Sequence, residues 1–385
     1  RKACATTTSG RQAEGRSILP MKIDVEELTD IRELEAVWRD LEARADAHFF
    51  NSWTWIGTWL ASLDEPPKLL VARHGETIAA LACLSFRRER WHGLVTENVA
   101  HLNATGYPDQ DIVTIEYNEP LIARTHAEAV RHALIRWLTS GHRMADRLVI
   151  QGAPTQWLDE FSNAGWSTRS FGDMPSYEVD LEASRRSGQP YLARLSSNTR
   201  RQIRRSIKLY EERGPVRFER AATVEEGLAM FVAASALHLE RWQARGEPGA
   251  CSYPFFNAMH RTMIERSLPA GQVELVKVSA GDHLIGCLYN FIHDGRVLFY
   301  FGGLRFEDDN RLKPGLVTHA LCIQDHIDRG HRVYDFLAGE NRYKESLGQP
   351  GRPITTLIVE RPHLLRRLEY GLRALKARID RRRAA

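Results

Sequence analysis

One pattern of segments occurs twice along the chain in the same order, and this repetition limits the fold more than any other feature. Residues 69–86, "LLVARHGETIAALACLSF", and 273–291, "VELVKVSAGDHLIGCLYNF", each hold an apolar run, a turn with Gly75 or Gly281, and a second run through Cys-Leu to Phe. Alternating apolar positions on both sides of a glycine turn make a β-hairpin. A third strand follows in each copy: "GLVTENV" in the first, and "RVLFYFGGL" after an Asp294-Gly295 turn in the second. Residues 131–153 then answer residues 318–340, each with His-Ala-Leu in a helical pattern, a Gly-His-Arg stop and a strand ending in glycine. Gly141 and Gly330 stand where a helix ends in the left-handed region. The reading is a duplicated α/β unit of hairpin meander, helix and further strand.

A chain of 385 residues exceeds one ordinary core, so each copy is expected to be a domain. The boundaries drawn are 21–181 and 190–360, joined by a polar linker at 182–189. Residues 1–20 lack a periodic apolar face and are expected to be disordered, with regular pattern starting at Met21; residues 361–385 read as a basic helix. Helices are expected at 29–46 and 52–63 (with Trp53, Trp55 and Trp59), and at 197–213, 223–245 and 254–267, with a strand at 215–221. Apolar residues make up 43% and charged residues 26%, the balance of a soluble globular protein. No uncharged apolar run reaches the length of a membrane helix. Five cysteines without a CxxC pair read as buried free thiols of a cytoplasmic protein. A net charge of +4 is too small to imply nucleic acid, and DNA is not expected as a partner.

Chemistry concentrates at "RVYDFLAGENRYKESLG", residues 332–348. A short apolar strand carries Asp335 in its middle, and a polar turn after it delivers Tyr343 and Lys344 together. Moving an acyl group from a thioester requires deprotonating the acceptor, stabilising the carbonyl oxygen and protonating the leaving thiolate. Asp335 as base, Tyr343 as proton donor and Lys344 as electrostatic clamp supply one group for each. Beside this stands a plainer reading of Asp335 as an acid anchoring a turn or an arginine. Arg200, Arg201, Arg204, Arg205 and Lys208 fall on one helical stripe, either a solvated face or a contact for an anionic partner. His319, His326 and His331 lack a completing ligand at a recognised spacing, and no metal is expected.

The order of elements resembles the GNAT acyltransferase fold, and two such units in tandem resemble FemAB-type transferases. "SSNTRRQIRRSIKLYEERG", "LHLERWQARGEPG" and the stretch from "LYNFIHDG" to "YKESLG" are similar to the cellulose-biosynthesis (CelD-like) acetyltransferase family. The resemblance spans roughly 195–348 and is weaker over 30–180, where "FFNSWTWIGTWLASL" carries it. It implies two tandem GNAT domains of the α/β class, each a mixed, mainly antiparallel sheet flanked by helices. It also implies that an acyl-pantetheine arm lies where the fourth strand, with Gly302, Gly303 and Leu304, parts from the fifth. The pyrophosphate would meet Arg311, Lys313, Gly315 and Leu316 at a helix N-terminus, a ready anion site. His238, Arg241 and Trp242 would bind the acceptor, with a core position in an amphipathic helix equally open for Trp242; Tyr300 suits core packing first and, as a substrate-binding residue, the lining of the acyl channel second. The loop departs from the family pattern, since "NRLKPGL" has one glycine and a proline that donates no hydrogen bond. The implied function is transfer of an acetyl or acyl group from acyl-CoA, without metal, to an amine or hydroxyl of a sugar-, peptide- or lipid-linked acceptor. A nucleotide sugar or carrier would suit the basic stripe, and exopolysaccharide or envelope biosynthesis would suit the family. Aminoacyl transfer from charged tRNA and a non-catalytic scaffold are the alternatives.

Overall fold

A computed structural model describes residues 20–91, 95–139, 145–163 and 166–361. The expected disordered segment up to residue 19, Gly141 and the basic tail from residue 362 lie outside the described residues. Seven strands follow one another into a first sheet: β1 (Met21–Glu26), β2 (Lys68–His74), β3 (Thr77–Trp91), β4 (Val95–Leu102), β5 (Leu121–Ile122), β6 (Arg147–Pro154) and β7 (Ser167–Met174). The next seven form a second sheet: β8 (Ser176–Asp180), β9 (Val216–Arg220), β10 (Val273–Ala280), β11 (His283–His293), β12 (Arg296–Leu304), β13 (Val333–Ala338) and β14 (Gln349–Pro350). The last strand, β15 (Ile354–Glu360), returns to the first sheet.

The sheets run β1-β2-β3-β4-β6-β15-β7 and β14-β8-β13-β12-β11-β10-β9, so the repeat read from sequence is a repeat of topology. Each is antiparallel except at one place, β4 beside β6 and β12 beside β13. Gly75 (φ 61°) and Gly281 (φ 57°) turn the two hairpins, and Asp294 and Gly295 (φ 43° and 70°) turn the next, the left-handed pair that matches strand twist. The sheet boundaries differ from the expected domain boundaries by one strand at each end. β8, from the first half of the chain, pairs with β13, and β15, from the second, pairs with β6. Each sheet is completed by a strand from the other half.

The helices are α1 (Ile31–Arg44), α2 (Trp53–Ala61), α3 (Ala127–Thr139), α4 (Gln156–Asn163), α5 (Leu181–Arg186), α6 (Tyr191–Arg194), α7 (Ser197–Glu211), α8 (Val224–Gln243), α9 (Pro254–Ser267), α10 (Pro314–Asp328) and α11 (Arg342–Leu347). The ends of α7 and α8 are written in sequence: Ser196 and Thr223 accept the amides of Thr199 and Glu226 through their hydroxyls, which satisfies otherwise unpaired donors. On α7 the buried face is Thr199, Ile203, Ser206 and Tyr210, and Arg201, Arg204, Arg205 and Lys208 face solvent. Cys83, Cys251, Cys287 and Cys322 are buried free thiols. Among the described residues no helix is long and apolar enough to cross a membrane.

Eight consecutive residues of α2, Trp53–Leu60, are buried, as expected of a helix that is apolar all round. Its partners come from both halves of the chain: one core cluster holds α1 and α2 together with α8, α9 and β10–β12. Phe49, just ahead of α2, stacks on Phe291 with centroids 4.1 Å apart and planes 7° off parallel. Phe291, Trp55 and Tyr300 close the group. Phe49→Ala should therefore destabilise the whole chain by about 3–5 kcal/mol, the usual cost of deleting a buried aromatic ring. A melting temperature equal to wild type would show that the two halves do not share this core.

Candidate active site

β12 and β13 pair over only three positions, Arg296–Val333, Val297–Tyr334 and Leu298–Asp335, and then part. Side chains along a strand alternate between faces, and this sorts the residues around the gap. Tyr334 and Phe336 face α10, where His319 lies among them. Asp335 faces the first half of the chain and is 1% exposed. Its Oδ2 accepts from Arg296 (2.9 Å) and from the Tyr117 hydroxyl (3.1 Å), and its Oδ1 accepts from the Leu337 amide (2.8 Å). Arg296 continues to Glu178 on β8 at 3.0 Å. The plainer reading of Asp335 describes this geometry: it anchors both an arginine and a turn, and its carboxylate is fully engaged. Burial raises its pKa while Arg296 works against the rise.

Lys344 is 4% exposed. Its ammonium donates to the carbonyls of Ala338 (2.6 Å) and Leu337 (3.2 Å), at the end of β13. Burial lowers its pKa to about 8, against the pull of Glu116 and Asp335. Tyr343 lies on the opposite side of the turn, its ring stacked on His319 with centroids 5.1 Å apart and its edge near Phe336. Burial raises its pKa, so the phenol stays protonated. Asp335 and Lys344 are thus brought into one electrostatic cluster, and Tyr343 flanks it on the α10 side.

Sequence reasoning missed Glu116. It is 8% exposed, and its Oε2 accepts the Ala338 amide at 2.8 Å across a separation of 222 residues. Burial raises its pKa to about 7, with the Ala338 amide and Lys344 opposing and Asp335 adding. The loop is pinned from below: Asn118 donates its amide to Gly152 O at 2.9 Å. A Cβ on Gly152 (φ 65°) would sit 2.2 Å from the Ile115 carbonyl oxygen. Thr114, Tyr117 and Leu337 have φ of 28°, 53° and 57°, a clustering of strained backbone that is typical of functional sites.

On the donor side, Pro314 opens α10 without an N–H, so the leading amides are those of Gly315 and Leu316. Lys313 caps the helix and donates its amide to Ser206 of α7 at 2.9 Å. Arg311 is folded onto Asp309 (2.7 Å) and lends the loop less free charge than expected. Gly303 lies against α8, where a Cβ would come within 2.2 Å of the Ala234 carbonyl; Gly302 and Leu304 flank it on β12.

Beyond the parting point on β12, the His238 ring packs on Phe301 (4.7 Å) and Trp242 (5.6 Å). Burial lowers its pKa to about 4, and the Gly302 backbone beside it opposes the shift. The Arg241 guanidinium lies 3.7 Å over the Phe306 ring. Tyr300 is part of the shared core, and its hydroxyl donates to the Val113 carbonyl. His238 packs against β12 and Tyr300 belongs to it, with Tyr300 also within electrostatic reach of Glu116; Trp242 and Arg241 lie farther out, against His238 and Phe306. Glu274, Cys322 and His326 bring potential metal-ligating atoms within 4.8 Å of one another. The Glu274 carboxylate already lies within 4 Å of Arg329 and His326, and His319 separately bonds to the Tyr334 hydroxyl at 3.0 Å.

Residues 197–345 match the family model described as Acetyltransferase (GNAT) domain. No curated protein matches by sequence. Among solved structures, that of FemX has a TM-score of 0.53 at 12% identity, over 88% of this chain and 95% of that one. L-PGS from Bacillus licheniformis gives 0.53 at 10% identity, over 93% and 99%. At such identities the likeness speaks for the fold alone, while the matched residues take in the parted strands, the α10 N-terminus and the Tyr343–Lys344 turn. Over residues 197–345, therefore, the chain carries a GNAT-superfamily acyltransferase domain, and the protein is an acyltransferase.

Proposed function

We propose that the protein moves an acetyl or other acyl group from acyl-CoA to an amine or hydroxyl on a sugar-, peptide- or lipid-linked acceptor, in the manner of the CelD-like and FemAB-like enzymes. The parting of β12 from β13, with the start of α10 beside the end of β12, where a Cβ on Gly315 would lie 3.2 Å from Leu304, carries this reading. An extended thioester arm fits an unpaired strand edge, and the leading amides of Gly315 and Leu316 with the helix dipole suit a pyrophosphate. In this reading residues 190–360 carry the chemistry and residues 21–181 shape the acceptor side. Lys344 steadies the developing negative charge, Tyr343 protonates the departing thiolate, and Asp335 holds the turn that presents them. His238, Arg241 and Trp242 border the acceptor's approach along β12.

Aminoacyl transfer from charged tRNA is a second reading, supported by the exposed cations of α7 beside the α10 N-terminus through Ser206. Replacing Arg201, Arg204 and Arg205 by Gln separates the two. Transfer from acetyl-CoA to a neutral acceptor should hardly change, whereas transfer from tRNA should lose affinity and salt dependence together.

Two further outcomes test the assignment. Lys313→Ala should weaken acetyl-CoA binding by calorimetry more than Arg311→Ala, because Asp309 already neutralises Arg311; the reverse order would move the pyrophosphate away from the α10 N-terminus. Tyr343→Phe deletes only a hydroxyl and should lose turnover by roughly 10²–10⁴-fold at unchanged donor affinity, the range of a general acid. Lys344→Met should lose turnover as well. Full activity in both variants would place the chemistry elsewhere.

A further inference from the structure

The acyl transfer proposed above needs a group to take the acceptor's proton, and Asp335 is spent on Arg296, Tyr117 and Leu337. We propose that Glu116 is that group, so that the active site is assembled from both halves of the chain and not from the matched domain alone. Three observations converge on it. Its Oε2 is fixed by the Ala338 amide at 2.8 Å, just past the point where β12 and β13 part, and among the described residues Oε1 carries no hydrogen bond. Lys344, whose ammonium caps the Ala338 carbonyl, lies within its electrostatic reach. The backbone that delivers it is strained at Thr114 and Tyr117 and fits only because Gly152 has no side chain. Strain of that order, about 1–3 kcal/mol per residue, persists where the surrounding fold imposes it, and it gathers at working sites.

The step balances as follows. The acceptor nitrogen or oxygen attacks the thioester carbonyl carbon, a C–N or C–O bond forms, and its proton passes to Glu116 Oε1. The C–S bond breaks, and the thiolate takes a proton from Tyr343. Glu116 then releases its proton to solvent, and Tyr343 recovers one from solvent.

The groups facing Glu116 are Lys344 on α11, Asp335 on β13 and the hydroxyls of Tyr117 and Tyr300. Glu116 titrates near 7 and Lys344 near 8. The carboxylate is the active form above the first value, and the ammonium is present below the second. Activity should therefore peak between about 7 and 8, with limbs belonging to the coupled pair.

The test uses the full chain, acetyl-CoA as donor, and water or glycinamide as acceptor, with thiol release as the readout. Glu116→Gln keeps the shape and the Ala338 contact. It should lower kcat by roughly 10²-fold or more, leave acetyl-CoA affinity unchanged and abolish the acid limb of the pH profile. Glu116→Asp should restore part of the rate with the limb displaced. A merely structural role would lower the melting temperature and leave the shape of the profile intact, and that result overturns the proposal. So does a wild-type enzyme that binds acetyl-CoA and releases no thiol. If acetyl-CoA does not bind at all, the acyl-CoA reading falls first and this assignment with it.

Discussion

The Asp335 carboxylate decides where the second sheet opens. A parallel pair of strands would ordinarily continue until one ends, yet β13 leaves β12 at this residue. The Leu337 amide, which would otherwise serve a ladder, is taken by Asp335 Oδ1 at 2.8 Å, and Leu337 turns into the left-handed region at φ 57°. The pairing with β8 skips from Asp335 to Ala338 at the same place. A buried carboxylate is tolerable only when paired and hydrogen-bonded. Arg296, Tyr117 and the Leu337 amide meet that demand, and Arg296 passes the tie on to β8 through Glu178. Arg296 keeps 35% of its side chain exposed, so the pair is weaker than a fully buried one, and the Asp335 carboxylate depends on all three partners together.

Once β13 has turned, the carbonyls of Leu337 and Ala338 have left the ladder and need donors. A neutral side chain would satisfy them. The chain uses an ammonium instead, and burial depresses its pKa to about 8. A charge is a costly way to cap two carbonyls, which favours a use for the charge itself. Lys344 thus both supports the turn and places a charge beside Glu116, a carboxylate that the other half sends across.

Much of this was legible in residue order. The hairpin turns at Gly75, Gly281 and Asp294-Gly295 and the Gly330 stop follow local rules and stand as read. That Asp335 and Lys344 come near each other at one strand end was also visible, because they lie within ten positions; Tyr343 stands apart on the α10 side. Three things were not. The exchange of β8 and β15 is a pairing choice between sheets of equal topology, and local pattern carries no information on it. Arg296 and Tyr117 meet Asp335 only through the fold. Glu116 sits in "DIVTIEYNEP", where neither a helical nor a strand period marks a buried acid. The available signal was Gly152, near the end of β6, which the repeat placed opposite Gly339, just after β13.

The parting of β12 from β13 has a counterpart in the first sheet. β4 and β6 pair over three positions, as β12 and β13 do. There the gap is filled by the chain itself: Asn103 accepts the Cys83 amide at 2.8 Å and donates to Asn118 at 3.0 Å, and Asn118 donates to the Leu102 carbonyl at 2.8 Å. Both asparagines are buried, and together they take up the strand groups that a thioester arm would meet. The residue two positions before Asn118 in that plug is Glu116. A loop that closes the first cleft therefore carries a carboxylate into the second. One loop thus ties into both sheets, through Asn118 to the Leu102 carbonyl and through Glu116 to the Ala338 amide, and neither tie survives if the halves are separated.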